Sequence, residues 1–269
     1  DGIHTSGYTP GLLAKSLKDE MPEVEDAVAV VPGYGKDIVS NGTQQIKAMP
    51  QFVDRNFFNV FTYALLRGDK DRVLDNKYAV LLSGELAMKL FNSLDVVGRT
   101  VKWAGEKDLY TITGVFKKPS PESTAQFDLL FNYQLYFDRN AVNEANWVNS
   151  DPMTYIVLKP GVNAAEFSRK ITGFLQTKDK KAPLTLFLQK YSDKYLYGNY
   201  ENGNPAGGRI AYVRLFSIIA IFILIIACIN FMNLSTAKSI RRSKEVGIRK
   251  VMGASRGSLI IQYLGESMF

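Results

Sequence analysis

Residues 215–234 read LFSIIAIFILIIACINFMNL and contain no charged side chain. Twenty residues of helix span about 30 Å, the thickness of a bilayer's hydrocarbon core, so the run predicts a transmembrane helix. A buried helix of a soluble domain would usually be shorter and show a polar edge, whereas here only Ser217, Asn230 and Asn233 interrupt the apolar surface. The run also lies far from the N-terminus, which excludes a signal peptide. Beyond Gly257 the chain turns apolar again in SLIIQYLGESMF, predicting the start of a further membrane helix over 256–269. Export of the N-terminal part calls for another span ahead of Asp1.

The first 208 residues alternate differently. Thr9-Pro10-Gly11 opens a helical spacing of Leu12, Leu13, Leu17 and Met21 that stops at Pro22, and AVAVV over 27–31 reads as a strand. The same grammar recurs late: TYIVL (154–158) as a strand, a turn at Lys159-Pro160-Gly161, Asn163 as a helix cap, AAEFSRKITGFL as a helix and LTLFLQ (184–189) as a following strand. Between these units KYAVLLS predicts a strand entering the helix ELAMKLF, and VVGRTVKW with LYTITGVF predicts a hairpin turning at 104–106. The loop KKPSPES (117–123) is polar and exposed, and NGNPAGG (202–208) is a flexible joint. The pattern predicts an α+β ectodomain, split at 1–55 and 149–208 around a mostly β insertion at 56–148, followed by a transmembrane α-helix at 209–236.

Charge sets the orientation. The twenty residues before the apolar run carry Arg209 and Arg214, and the twenty after it carry Lys238, Arg241, Arg242, Lys244, Arg249 and Lys250. Positive charge concentrates on the cytoplasmic side, which places residues 1 to about 208 outside the cytoplasm. The formal charge of +7 follows the same division. Residues 235–269 hold seven Lys or Arg and two Glu, and the remainder holds 26 basic and 24 acidic side chains. A near-neutral ectodomain with a basic tail suits anionic membrane lipid and argues against nucleic acid.

Candidate chemistry is sparse. One histidine, His4, and one cysteine, Cys228 inside the apolar run, exclude a His-bearing triad, a multi-His metal site and a disulfide framework. Asp19, Glu20, Glu23, Glu25 and Asp26 read as solvated carboxylates around a helix end. Gly33-Tyr34-Gly35-Lys36 lacks the spacing of a phosphate loop and reads as a turn. No catalytic residue, metal site or cofactor is expected.

RRSKEVGIRKVMGAS (241–255) remains. At 100° per residue, Ile240, Gly247, Ile248, Val251 and Met252 share one arc, and Arg242, Glu245, Arg249 and Lys250 the other. Such a helix is expected to lie across an interface, either on lipid headgroups or with one face against a cytoplasmic protein, and the stripe suits both.

The run EVGIRKVMGA (245–254), preceded by NFMNLSTAKSIRRSK, resembles the cytoplasmic segment of FtsX-like permeases of the MacB type, membrane subunits of ABC transporters. YTPGLLAKSLKDEMPEVEDAV, RNFFNVFTYALLRGD, YAVLLSGELAMKLF and VVGRTVKW are similar to the MacB-type periplasmic core, so the resemblance covers nearly the whole chain. It implies a porter-like subdomain with an inserted sabre-like one, and a coupling helix within 237–255. Arg242, Lys244, Glu245, Gly247, Ile248, Arg249, Lys250 and Gly253 would then bind an ABC ATPase. It further implies a permease homodimer or heterodimer in the inner membrane of a Gram-negative-type bacterium, leaves a periplasmic or outer-membrane partner open, and makes this chain no enzyme, since these residues contain no nucleotide-binding motif. A membrane-anchored sensor is the alternative, disfavoured because a further membrane helix follows the short basic stretch where a sensor would continue into a kinase or coiled coil.

Overall fold

A computed structural model describes every residue except Asp1, Ala104, residues 142–144 and Phe269. Asp1–Lys194 with Glu201–Asn204 form one compact unit, and Tyr195–Tyr200 with Pro205–Phe269 form a second.

The first unit opens with α1 (Leu13–Glu20), β1 (Val24–Pro32), β2 (Asp37–Ser40), β3 (Gln45–Ala48), β4 (Pro50–Val53) and α2 (Phe57–Val60). It continues through β5 (Leu65–Arg67), β6 (Ala79–Ser83), α3 (Gly84–Phe91), β7 (Thr100–Trp103), β8 (Leu109–Phe116), β9 (Leu129–Asn132) and α4 (Tyr133–Arg139). β10 (Met153–Leu158), α5 (Ala164–Ile171) and α6 (Phe174–Lys178) complete it. The ten strands form one sheet in the order β10-β1-β4-β9-β6-β8-β7-β2-β3, with β5 on β8. β4 with β9 and β6 with β8 are parallel, while β1 is antiparallel to both β10 and β4.

Both faces of the central strands are covered, which is why their sequences read as unbroken apolar runs. In β1, Ala27, Ala29 and Val31 enter one core and Val28 and Val30 the other; in β9, Leu129 and Phe131 oppose Leu130. α1, α3, α5 and α6 cover the larger core, and Phe57 and Phe58 of α2 join the smaller. β8 changes phase part-way: pairing shifts from Val80↔Ile112 to Leu81↔Gly114, a bulge that puts both Ile112 and Val115 in the larger core. A Cβ on Gly114 would lie 3.0 Å from the Arg67 carbonyl oxygen, so the close approach of β5 favours glycine.

The expected helices start at side-chain caps. Ser83 Oγ accepts from Leu86 N at 3.3 Å, and Asn163 Oδ1 accepts from Ala165 N and Glu166 N. The hairpin of β7 and β8 is present, with Ala104 of its turn outside the described residues. Two expectations need correction. The helix after Asn163 breaks at Thr172-Gly173 into α5 and α6. Residues 184–189 are extended but join no sheet; Leu184, Leu186 and Leu188 turn toward the larger core, with Leu186 N donating to the Thr172 carbonyl and Leu188 N to Ser168 Oγ. The alternation is met by a helical turn, not by a neighbouring strand.

The expected subdomain boundaries at 55/56 and 148/149 do not interrupt the sheet. β4 pairs with β9 across the first, and β2 pairs with β7.

Candidate partner-docking helix

The second unit is dominated by α7 (Ile210–Val251), 42 residues and about 63 Å long. It is the one helix among the described residues long and apolar enough to cross a membrane. Neither proline nor glycine occurs in it before Gly247, so nothing local stops the backbone ladder after the apolar run. The expected corner between a helix ending at 236 and a separate one starting at 237, lying flat on the interface, is therefore absent. The basic segment continues the same axis for about 25 Å past Leu234.

α7 ends at a glycine. Gly253 has φ 92°, its N–H donates to the Lys250 carbonyl at 3.2 Å, and the Ala254 N–H donates to the Arg249 carbonyl at 3.0 Å. These paired bonds are the termination that a left-handed residue provides. Gly253, expected at a partner contact, has this local backbone role. Ser255 Oγ then accepts from Ser258 N at 3.3 Å and opens α8 (Arg256–Met268).

α8 folds back along α7. Arg249 Nη1 donates to Gln262 Oε1 at 2.7 Å, and Val246 lines an apolar groove with Arg256, Leu259, Ile260 and Leu264. Helical geometry puts Arg242, Val246 and Arg249 on the side toward α8, where Val246 alone is half-buried, with Ile240, Lys244, Gly247 and Val251 opposite. Glu245 and Lys250 sit at the two borders, and Ile248 flanks the open side. Ile240, Ile248 and Val251 are 62%, 64% and 90% exposed, so the open face presents apolar side chains around Lys244 that no described residue covers. A Cβ on Gly247 would meet no atom within 4 Å. The sequence arcs missed the division between covered and open sides, because periodicity does not say which side a following helix occupies.

The profile of the MacB-like periplasmic core domain matches residues 3–174. The chain belongs to that family. The profile of the FtsX-like permease C-terminal domain matches residues 217–269, the apolar part of α7 together with its basic end and α8. The macrolide export ATP-binding/permease protein MacB of Salmonella choleraesuis is 23% identical over 290 residues, covering 99% of this chain and 42% of that protein. The chain thus spans less than half the length of this relative. A permease-protein domain from Porphyromonas gingivalis superimposes with a TM-score of 0.61 at 24% identity, over 69% of this chain and 85% of that one. The extracellular domain of YknZ, a noncanonic ABC-type transporter from Gram-positive bacteria, gives 0.51 at 12% identity, over 69% and 91%. At these identities both structures speak to the fold alone.

Several ionisable groups of the MacB-like domain are held in structural pairs. The carboxylates expected to be solvated are largely engaged: Glu20 pairs with Lys178, Glu23 with Lys170 at 2.5 Å, and Asp26 with Lys18 at 2.5 Å. Asp26 is buried in β1, where it also accepts from Asn56 Nδ2 at 2.8 Å and its neighbour Ala27 N at 2.9 Å. Lys194 Nζ donates to the Tyr155 hydroxyl at 2.8 Å, and burial pushes that hydroxyl up to about 12. It stays protonated at neutral pH and offers no general base. Among the described residues no group of three or more His, Cys, Asp or Glu is placed to hold a metal.

Burial raises the Asp54 carboxyl above its ordinary value, with the Asp26 charge adding to the effect and Arg55 and Lys18 opposing it. The folded state therefore binds the proton more tightly than the unfolded one, and stability falls as pH rises from the unfolded value through the folded one. Asp54→Asn should raise the Tm at pH 7, and the gain should vanish as the pH is lowered through the carboxylate range. Thermal melts of both proteins from pH 3 to 7 check this; a constant difference across the series would contradict it.

Proposed function

We propose that the chain is permease machinery of a MacB/FtsX-type ABC transporter, converting ATP hydrolysis in the cytoplasm into movement of a domain outside it. The observation that carries this is the succession along one chain of a MacB-like periplasmic core domain (3–174) and an FtsX-like permease C-terminal domain (217–269), the latter containing most of a helix of membrane-spanning length. Residues 1 to about 208 lie in the periplasm on this reading, the basic end of α7 lies in the cytoplasm, and α8 begins a further membrane helix. The Salmonella relative is an ATP-binding/permease protein, with both parts in one chain. The 269 residues contain no G-x-x-x-x-G-K-[ST] loop, so we place hydrolysis outside them. Residues 237–255 are the coupling segment, with Gly247, Ile248 and Lys244 on the face that seats against the ATPase and Arg242 and Arg249 bracing α8 behind it. Efflux, lipoprotein handling and mechanotransmission all fit this arrangement, as does a permease dimer.

Gly247→Leu and Glu245→Lys test the docking. The Cβ of leucine at 247 meets no described atom within 4 Å, and leucine should strengthen the helix by up to about 1 kcal/mol, so a loss of coupling points to a partner held away. Glu245 is exposed and forms no ion pair among the described residues. On a helix that only contacts anionic lipid, Glu245→Lys should strengthen attachment by about 1 kcal/mol per added charge. On a docked helix both variants should reduce ATPase co-purification about tenfold or more, equivalent to 1.4 kcal/mol. Unchanged co-purification and ATPase activity in both would remove the docking role.

A further inference from the structure

We infer that residues 195–200 and 205–214 form a collar at the outer face of the membrane, with tyrosine rings at headgroup level and Arg209 and Arg214 binding lipid phosphate. The inference rests on residues 215–234 spanning the bilayer.

The collar is a folded clasp around the start of α7. Asn199 N donates to the Gly207 carbonyl at 3.2 Å, Ala206 N to the Asn199 carbonyl at 2.8 Å, and Ile210 N to the Leu196 carbonyl at 3.1 Å. The last bond satisfies a donor of the helix's first turn, which would otherwise face the membrane unpaired. Gly207 and Gly208 have φ 85° and 139°, and a Cβ on Gly208 would lie 2.7 Å from the Leu196 carbonyl oxygen, so the clasp needs glycine there. The Arg209 guanidinium stacks 4.4 Å from the Tyr195 ring centroid. Tyr195, Tyr197 and Tyr212 are 51%, 38% and 66% exposed around it.

Lipid headgroups fit this surface. Tyrosine is favoured where an apolar ring can enter the interface while its hydroxyl stays wet. Arg209 and Arg214 lie within about 9 Å along the axis of Leu215, close to the roughly 5–8 Å of headgroup region on each side of the hydrocarbon core. From residue 202 to residue 244 there is no carboxylate to repel a phosphate. A guanidinium offers phosphate two parallel hydrogen bonds, and its aliphatic stem can lie along the apolar start of the helix.

Site-directed nitroxides on the full chain, in vesicles of phosphatidylethanolamine and phosphatidylglycerol, test the collar. Cys228→Ser removes the native thiol, and single cysteines at Ser120, Asn199, Val213 and Leu224 carry the label. Collision rates with oxygen and with a water-soluble nickel chelate give depth. The label at 224 should report the hydrocarbon core, that at 120 bulk water, and those at 199 and 213 the headgroup layer. Arg209→Gln with Arg214→Gln should let the label at 213 sink by about one residue rise or more, ~1.5–3 Å. An aqueous label at 224 would defeat the spanning itself. A core-depth label at 224 with 199 as wet as 120 would overturn the collar alone, and an unchanged depth at 213 in the arginine variant would overturn phosphate binding.

Discussion

Phe131→Ala is expected to cost the MacB-like domain about 3–5 kcal/mol, because it empties the middle of the larger core. Phe131 is fully buried in β9, between β4 and β6. Its ring lies 4.9 Å from Trp103, 5.1 Å from Tyr110 and 5.5 Å from Phe52, so truncation removes aromatic contacts with three other strands at once. Those neighbours stand on backbone held by the sheet and can collapse only partly into the space. Residues 1–194 form most of one compact unit and should unfold cooperatively when expressed alone. In that fragment the loss should appear as a Tm lower by roughly 6–20 °C, with Phe131→Leu in between. A loss under about 1 kcal/mol would mean that the ring is not the keystone of this core.

Cysteine labelling in intact cells should be close to all-or-none. With Cys228→Ser as background, Ser120→Cys lies in an exposed loop of the MacB-like domain and Ser243→Cys lies on the basic extension of α7. Six Lys or Arg follow the apolar run within twenty residues against two before it, and such an excess holds its side of a span in the cytoplasm. A membrane-impermeant maleimide admitted to the periplasm should label position 120 at least about tenfold more than 243 until the inner membrane is opened. Preferential labelling at 243 would invert the topology and, with it, the docking of any cytoplasmic ATPase on that segment.

Much of this protein was legible in local pattern. Twenty uncharged residues in a row can do little but form a buried or membrane helix, and the charge count beside them orients it. Asn163 announces a helix start because its side-chain oxygen, two to three residues ahead, can satisfy an orphan N–H, and the 100–116 hairpin follows from β-rich residues around a turn. The specific run from Glu245 to Ala254 carried the family resemblance. None of these needs knowledge of a distant neighbour.

What the tertiary structure decided was partnership. The parallel pairing of β4 with β9 joins residues nearly eighty positions apart, and strand periodicity says which residues face inward but not which strand lies alongside. The same limit made residues 184–189 look like a sheet strand when their alternation is met by a helix. Asp26 looked solvated in a row of acids, and only the arrival of Lys18 and Asn56 around β1 makes its burial tolerable. On α7 the amphipathic stripe was visible in sequence, yet the return of α8 determines that Val246 is half-buried and Arg249 bonds Gln262 while Gly247 and Ile248 stay open. Local sequence sets conformation through short-range sterics and hydrogen bonds; which surfaces meet depends on contacts between segments that no short window contains.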